Sequence, residues 1–276
     1  MRRALLAAAL AATALAVTAC DDAPGDAADD ATPPGDAAGA DAQVEARALS
    51  VSGHAFSFSA NGGPIEGATV RLLEDPERTA TTAADGSFRF DGLPDGSQVT
   101  FVLEDPDLPP IQTGTHTLAG EDMERLTFQA PDFALYNALA AIVQLTPDPA
   151  RCQIASTVTR RGNSLYDEIP GTHGEPEATV TLEPEPDDVD GPIYFDLVRY
   201  NAIFPSRMLT QTTADGGVLF LNVPPGDYTL RAHKPDTEFR DVHITCRAGF
   251  IVNASPPWGL QAIEGGVGPR TEPDWQ

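Results

Sequence analysis

The sequence predicts an all-β protein, two tandem antiparallel β-sandwiches joined by one short α-helix, behind a signal peptide and a disordered linker. Three observations lead there. A turn-strand-turn unit occurs twice without a gap, as Asp85-Gly86-Ser87-Phe88-Arg89-Phe90-Asp91-Gly92-Leu93-Pro94-Asp95-Gly96 and, 130 residues later, as Asp215-Gly216-Gly217-Val218-Leu219-Phe220-Leu221-Asn222-Val223-Pro224-Pro225-Gly226. Each copy reads as an Asp-Gly turn, a short alternating strand and a Pro/Gly turn, the punctuation of β-hairpins. Proline at 25 and glycine at 24 are high together, which fits turn-rich β structure better than helical bundles. Only one stretch carries a convincing helical period.

The chain has 276 residues and 41% hydrophobic content, enough for two packed domains once a leader and a linker are set aside. Its formal charge of −24 makes a surface that repels nucleic acid and anionic headgroups, so nucleic acid is not an expected partner. The plainest consequence of the acidity is solubility.

Taken in order, residues 1–19 combine a basic start, an apolar run of secretory length and small residues leading to Cys20, which reads as an export signal. Val17-Thr18-Ala19-Cys20 resembles the bacterial lipobox, in which cleavage leaves an acylated cysteine as the mature N-terminus. That resemblance implies lipid attachment at Cys20 and a membrane as partner, with the body in the periplasm or at the cell surface. Residues 20–45 are almost wholly Ala, Asp, Gly and Pro, a composition that cannot bury a core and so predicts a disordered linker. Its reach is about 30 Å at 5–6 Å times the square root of its length.

Residues 46–130 carry the first expected sandwich, with strands at Ala48 to Phe58, Gly67 to Leu72, Ser87 to Phe90 and Gln98 to Glu104. Residues 131–149 hold the helix, from Phe133 to Leu145. Its apolar stripe is Tyr136, Leu139, Ala140 and Val143, with Asp132 as N-cap and Pro147 as stop. The stripe is expected to pack on one or both sandwiches. Residues 150–260 carry the second sandwich, in which Glu177 to Leu182 echoes Gly67 to Leu72. An excursion at about 184–207 is the largest loop difference between the copies, and residues 261–276 read as a flexible tail.

Gly67-Ala68-Thr69-Val70, followed by Asp85-Gly86, Phe88, Phe90, Leu93 and Gly96, resembles the carboxypeptidase regulatory-like domain, a prealbumin-like sandwich. The second copy is similar through Asp215-Gly216, Phe220, Val223, Gly226, Tyr228 and Leu230. The resemblance implies non-catalytic modules attached to other proteins, and so no enzyme. The alternative is an enzyme of unknown class with a dispersed site on a dioxygenase-like sandwich.

The motifs for chemistry are sparse. Intradiol dioxygenases look similar in fold and use an H-x-H pair among their iron ligands, but this chain has none. His233 and His243 fall on opposite arms of an expected hairpin, with His243 opposite Thr229, too far apart for one metal. Asp187-Asp188-Val189-Asp190-Gly191 lacks the spaced oxygens and closing glutamate of a calcium loop. No hydrolase or nucleotide motif occurs, and no cofactor is expected. Cys152 alternates with Ile154 and Val158, and Cys246 with Ile244 and Val242, so both should face one core. With Cys20 acylated in an oxidising compartment, these two thiols remain to form a disulfide. Tyr194, Phe195, Tyr200 and Phe204 give the excursion its aromatic density, making it the expected surface for an unknown protein or glycan. The competing reading has these rings closing the end of the sandwich.

Overall fold

Alternation sends every second strand residue to one face, and in the computed structural model of the protein these faces close over two separate cores. The structure describes residues 47–58, 62–167, 173–198 and 202–270. Cys20, Tyr200 and the whole leader and linker lie outside them.

The first half contains β1 (Ala48–Ser57), β2 (Thr69–Leu72), β3 (Thr79–Thr81), β4 (Ser87–Pro94), β5 (Gln98–Val99), β6 (Phe101–Glu104), β7 (Ile111–Thr113), β8 (His116–Thr117) and β9 (Phe128–Ala130). One sheet runs β4-β1-β9 and faces β3-β2-β6-β7. Phe88, Phe90, Phe101 and Phe128 fill the space between them, with the Phe90 and Phe101 ring centroids 4.9 Å apart. Helix α1 (Phe133–Ile142) follows, and the Asp132 side chain accepts the Leu135 N–H at 2.7 Å, as the sequence predicts. The helix ends three residues earlier than expected, because Gln144 adopts a left-handed φ of 56°.

The second half contains β10 (Cys152–Thr159), β11 (Thr179–Glu183), β12 (Asp190–Val198), β13 (Ala202–Ser206), β14 (Gly217–Val223), β15 (Gly226–His233), β16 (Glu238–Phe239), β17 (Val242–Cys246), β18 (Ile251–Asn253) and β19 (Leu260–Glu264). Here β11-β15-β17 faces β13-β12-β14-β10-β18. The 184–207 excursion is therefore largely a hairpin, β12 and β13, added to the edge of the sheet beside β14. The two halves share a sheet. β18 runs parallel to β10 on one side and parallel to β7 on the other, so one sheet of each sandwich continues into the other.

The repeated unit earns its recurrence from backbone geometry. Gly86 and Gly216 have φ of +79° and +81°, and a Cβ at either would come within 2.4 or 2.2 Å of the Ala55 or Val158 carbonyl oxygen. Only glycine fits both the angle and the approach. The N–H of Ala55 and of Val158 donates to the Gly86 or Gly216 carbonyl at 2.9 Å. One side-chain oxygen of Asp85 and of Asp215 accepts the N–H two residues on, at 3.0 Å in both copies. Buried Thr82 and Thr212, also 130 positions apart, each accept an alanine N–H at 2.9 Å, from Ala68 and Ala178.

Residues 261–270, the described part of the expected 261–276 tail, are built into the fold. Leu260–Glu264 is a strand that pairs in parallel with β10 and antiparallel with β16. The chain then crosses Glu175, whose carboxylate has no exposed surface, accepts Val267 N–H at 3.0 Å and pairs with Lys234 at 2.5 Å. Burying a charge is tolerable only when it is paired and hydrogen-bonded, and here the pair pins the C-terminal segment.

Cys152 and Cys246 form the expected disulfide inside the second core, with Cα atoms 5.7 Å apart. The chain-entropy account gives a closed loop of this length about 4–5 kcal/mol. Replacing both cysteines by alanine should lower the denaturation free energy by that order in urea titrations. A loss below about 1 kcal/mol would show that the sheet pairings alone hold the ends together.

Candidate functional site

Helix α1 buries none of its own residues. Its stripe lies over the shared sheet and settles onto it only at Val143. Val143, just past the helix end, is buried against Ile193 and Leu221, and Tyr136 packs on the first core. Between these two anchors a cleft of about 330 Å³ stays open, in the size range of small-molecule pockets. Its roof is Tyr136, Leu139 and Ala140. Its floor crosses four neighbouring strands, with Leu219 and Leu221 on β14, Ala155 on β10, and Ile251 and Asn253 on β18 leading to Ile111 on β7.

Most polar side chains along the cleft are already bonded within the protein. Ser156 Oγ donates to the Ala254 carbonyl, Thr157 and Ser255 hydroxyls share a bond at 3.1 Å, and Gln153 donates to Asn222. Asn253 donates to the Tyr166 hydroxyl at 3.4 Å and accepts Ser255 N–H. Asp215 is the one carboxylate on the lining, which holds no Lys, Arg or His. The repeated turn thus has opposite electrostatics in its two copies. Bonds to Ser87 hold the exposed Asp85 carboxyl below its ordinary pKa, whereas burial in the cleft wall pushes Asp215 up against the opposing Gly217 N–H bond.

The four expected surface aromatics do not form one patch. Tyr194 is a correction: its ring is 1% exposed in the second core, and its hydroxyl accepts Val180 N–H at 3.0 Å. β11 is an edge strand, so this N–H has no neighbouring strand to bond, and the phenol satisfies it. Phe195 lies against Gly217 in the cleft wall, where a Cβ would meet its ring at 2.6 Å. Phe204 stands on edge strand β13 with 43% of its surface exposed.

Other sequence candidates resolve into surface pairs. His243 lies opposite Thr229, and both His233 and His243 are exposed and bonded to threonine hydroxyls. Asp188 and Asp190 are engaged by Arg151 and Arg207. Arg207 also donates to the Val143 carbonyl at 2.8 Å, tying the edge hairpin to the helix end. Among the described residues no group of three or more His, Cys, Asp or Glu is placed to hold a metal, and no helix is long and apolar enough to cross a membrane.

Comparison with known proteins follows the first half of this architecture. Residues 50–131 match the carboxypeptidase regulatory-like domain. That span runs from within β1 through β9, while the cleft's floor on β10, β14 and β18 lies outside it. Solved structures with similarity include the Bacillus anthracis TIE protein, at 13% identity, 75% of this chain, 34% of that one and a TM-score of 0.22. A streptococcal ancillary pilin has 13% identity over 76% of this chain and 63% of its own, with a TM-score of 0.24. The shaft pilin SpaA from Lactobacillus rhamnosus GG has 12% identity over 81% and 100%, with a TM-score of 0.22. The chain thus spans about a third of the first of these proteins and under two thirds of the second. No curated protein matches it.

Asp215 offers a test of the wall. Asp215→Asn keeps an acceptor for Gly217 N–H and removes a buried charge, so the thermal midpoint at pH 8 should hold or rise. Asp215→Ala strands that N–H and should cost about 1–3 kcal/mol. Equal losses in both variants would mean that the carboxylate charge, and not the turn bond, is what the position contributes.

Proposed function

We propose that the chain is a lipid-anchored bacterial envelope protein whose body is a non-catalytic binding module. The observation that carries the second half of this reading is the cleft. It is apolar, half-enclosed, and bordered largely by polar groups already bonded within the protein, with no nucleophile set beside a base. Such a site can hold a molecule; its one carboxylate, Asp215, accepts the Gly217 N–H, and among the described residues no hydroxyl or thiol is hydrogen-bonded to that carboxylate for it to activate. The match of residues 50–131 to a regulatory-like domain supports the same reading.

The anchoring half rests on Val17 to Cys20 and the acidic, core-less linker behind them. Durable attachment needs two acyl chains or more, which a lipobox-type cysteine supplies. Contacts with a protein or glycan partner would fall to the exposed edge around Phe204 and Met208, while the cleft takes an apolar group.

Expressed with its leader in a bacterium, the wild type should partition into the detergent phase of a Triton X-114 separation. Cys20→Ser should move to the aqueous phase or accumulate as uncleaved precursor. Identical partitioning and mobility of the two would refute the anchor.

A further inference from the structure

We propose that the cleft beneath α1 binds a linear, uncharged aliphatic chain, the acyl part of a neutral lipid supplied from outside the protein. The inference rests on the binding-module reading and specifies its ligand.

Shape argues first. The floor crosses β14, β10, β18 and β7, three interstrand steps and so about 14 Å, while the roof is a single helix. The floor is therefore long enough to seat an extended chain of about ten carbons or more. Leu219, Ala155 and Ile251 below and Leu139 and Ala140 above give walls without hydrogen-bond capacity, which favours a chain over a sugar or a peptide backbone.

Charge argues second. The lining has no Lys, Arg or His to neutralise an anionic group, and its one carboxylate, Asp215, would repel a carboxylate or phosphate drawn inside. A net charge of −24 adds to that repulsion at longer range. An anionic head is therefore disfavoured, and a neutral one is not.

The helix argues third. A ten-residue helix with no buried residue, fixed at its ends by Tyr136 and by the Arg207 bond to Val143, has an apolar face still to be covered. An aliphatic chain would cover it, contributing about 0.8 kcal/mol for each CH₂ fully removed from water.

The test uses residues 45–276, which form one compact unit containing both cores. The neutral fluorophore N-phenyl-1-naphthylamine is titrated in and displaced by 1-dodecanol or by dodecanoate. The expected result is saturable one-to-one binding, displacement by dodecanol, and at least ten-fold weaker displacement by dodecanoate. Ala155→Trp, which fills the floor at a partly exposed position, should weaken binding ten-fold or more while the thermal midpoint stays within a few degrees. Leu219→Glu, placing a charge in the wall, should do the same and guards against a folding defect in the first variant. Amide exchange across 133–142 should slow when dodecanol is present. Absence of saturable binding in folded protein, binding that both variants leave intact, or equal displacement by dodecanoate would overturn the proposal. A failed detergent partition would instead count against the anchor and leave this result standing.

Discussion

A strand of three residues, Ile251–Asn253, has a hydrogen-bonding neighbour on each edge, and through it the sheet of one half continues into the sheet of the other. Phe250 accepts from Gln153 N–H at 3.0 Å, and Ile251 donates to the Pro110 carbonyl at 2.9 Å. Because successive strand residues face opposite ways, Ile251 joins the first core while Val252 joins the second. The disulfide at Cys246 holds the chain a few residues upstream of this strand. The β7 corner reinforces the junction, with Gln112 donating to the Thr245 carbonyl at 2.7 Å and Thr115 N–H to that of His243 at 2.9 Å. Those bonds also cover the edge of β17, which would otherwise be open for pairing.

The cleft is a consequence of that junction. A shared sheet is wider than either sandwich, and the ten residues of α1 are too short to cover it. Helix and sheet meet at the two ends of the helix and part between them. The same geometry turns Asp215 into a wall residue while its counterpart Asp85 stays in solvent, so one conserved turn chemistry produces two electrostatic environments. Binding capacity here comes from incomplete packing of a well-made scaffold, and not from a cluster of reactive groups.

Much of the scaffold was legible because its determinants are local. The Asp-Gly turns, the Asp132 cap and the facing of Cys152 and Cys246 each depend on residues within a few positions of one another, and their structural roles match the reading. The bonds from Thr82 to Ala68 and from Thr212 to Ala178 were not legible, because each joins residues 14 or 34 positions apart that only the folded sheets bring together. Tyr194 was ambiguous because an aromatic at an edge serves equally as a surface anchor or as a donor's partner, and only the position of Val180 N–H decides. The strand at Leu260–Glu264 was missed because Pro256-Pro257-Trp258-Gly259 reads as a chain exit, and nothing near it in sequence announces Glu175 or Asn163. The cleft itself was illegible: its floor comes from strands between Ile111 and Asn253, and no local pattern records which of them become neighbours.

The central claim is that β18 makes the two sandwiches one cooperative body. Differential scanning calorimetry of residues 45–276 tests it most directly, because two domains joined only by a tether melt separately, whereas domains sharing a sheet melt together. The account predicts a single transition whose calorimetric and van't Hoff enthalpies agree. Two resolved transitions, or a calorimetric enthalpy well above the van't Hoff value, would contradict it.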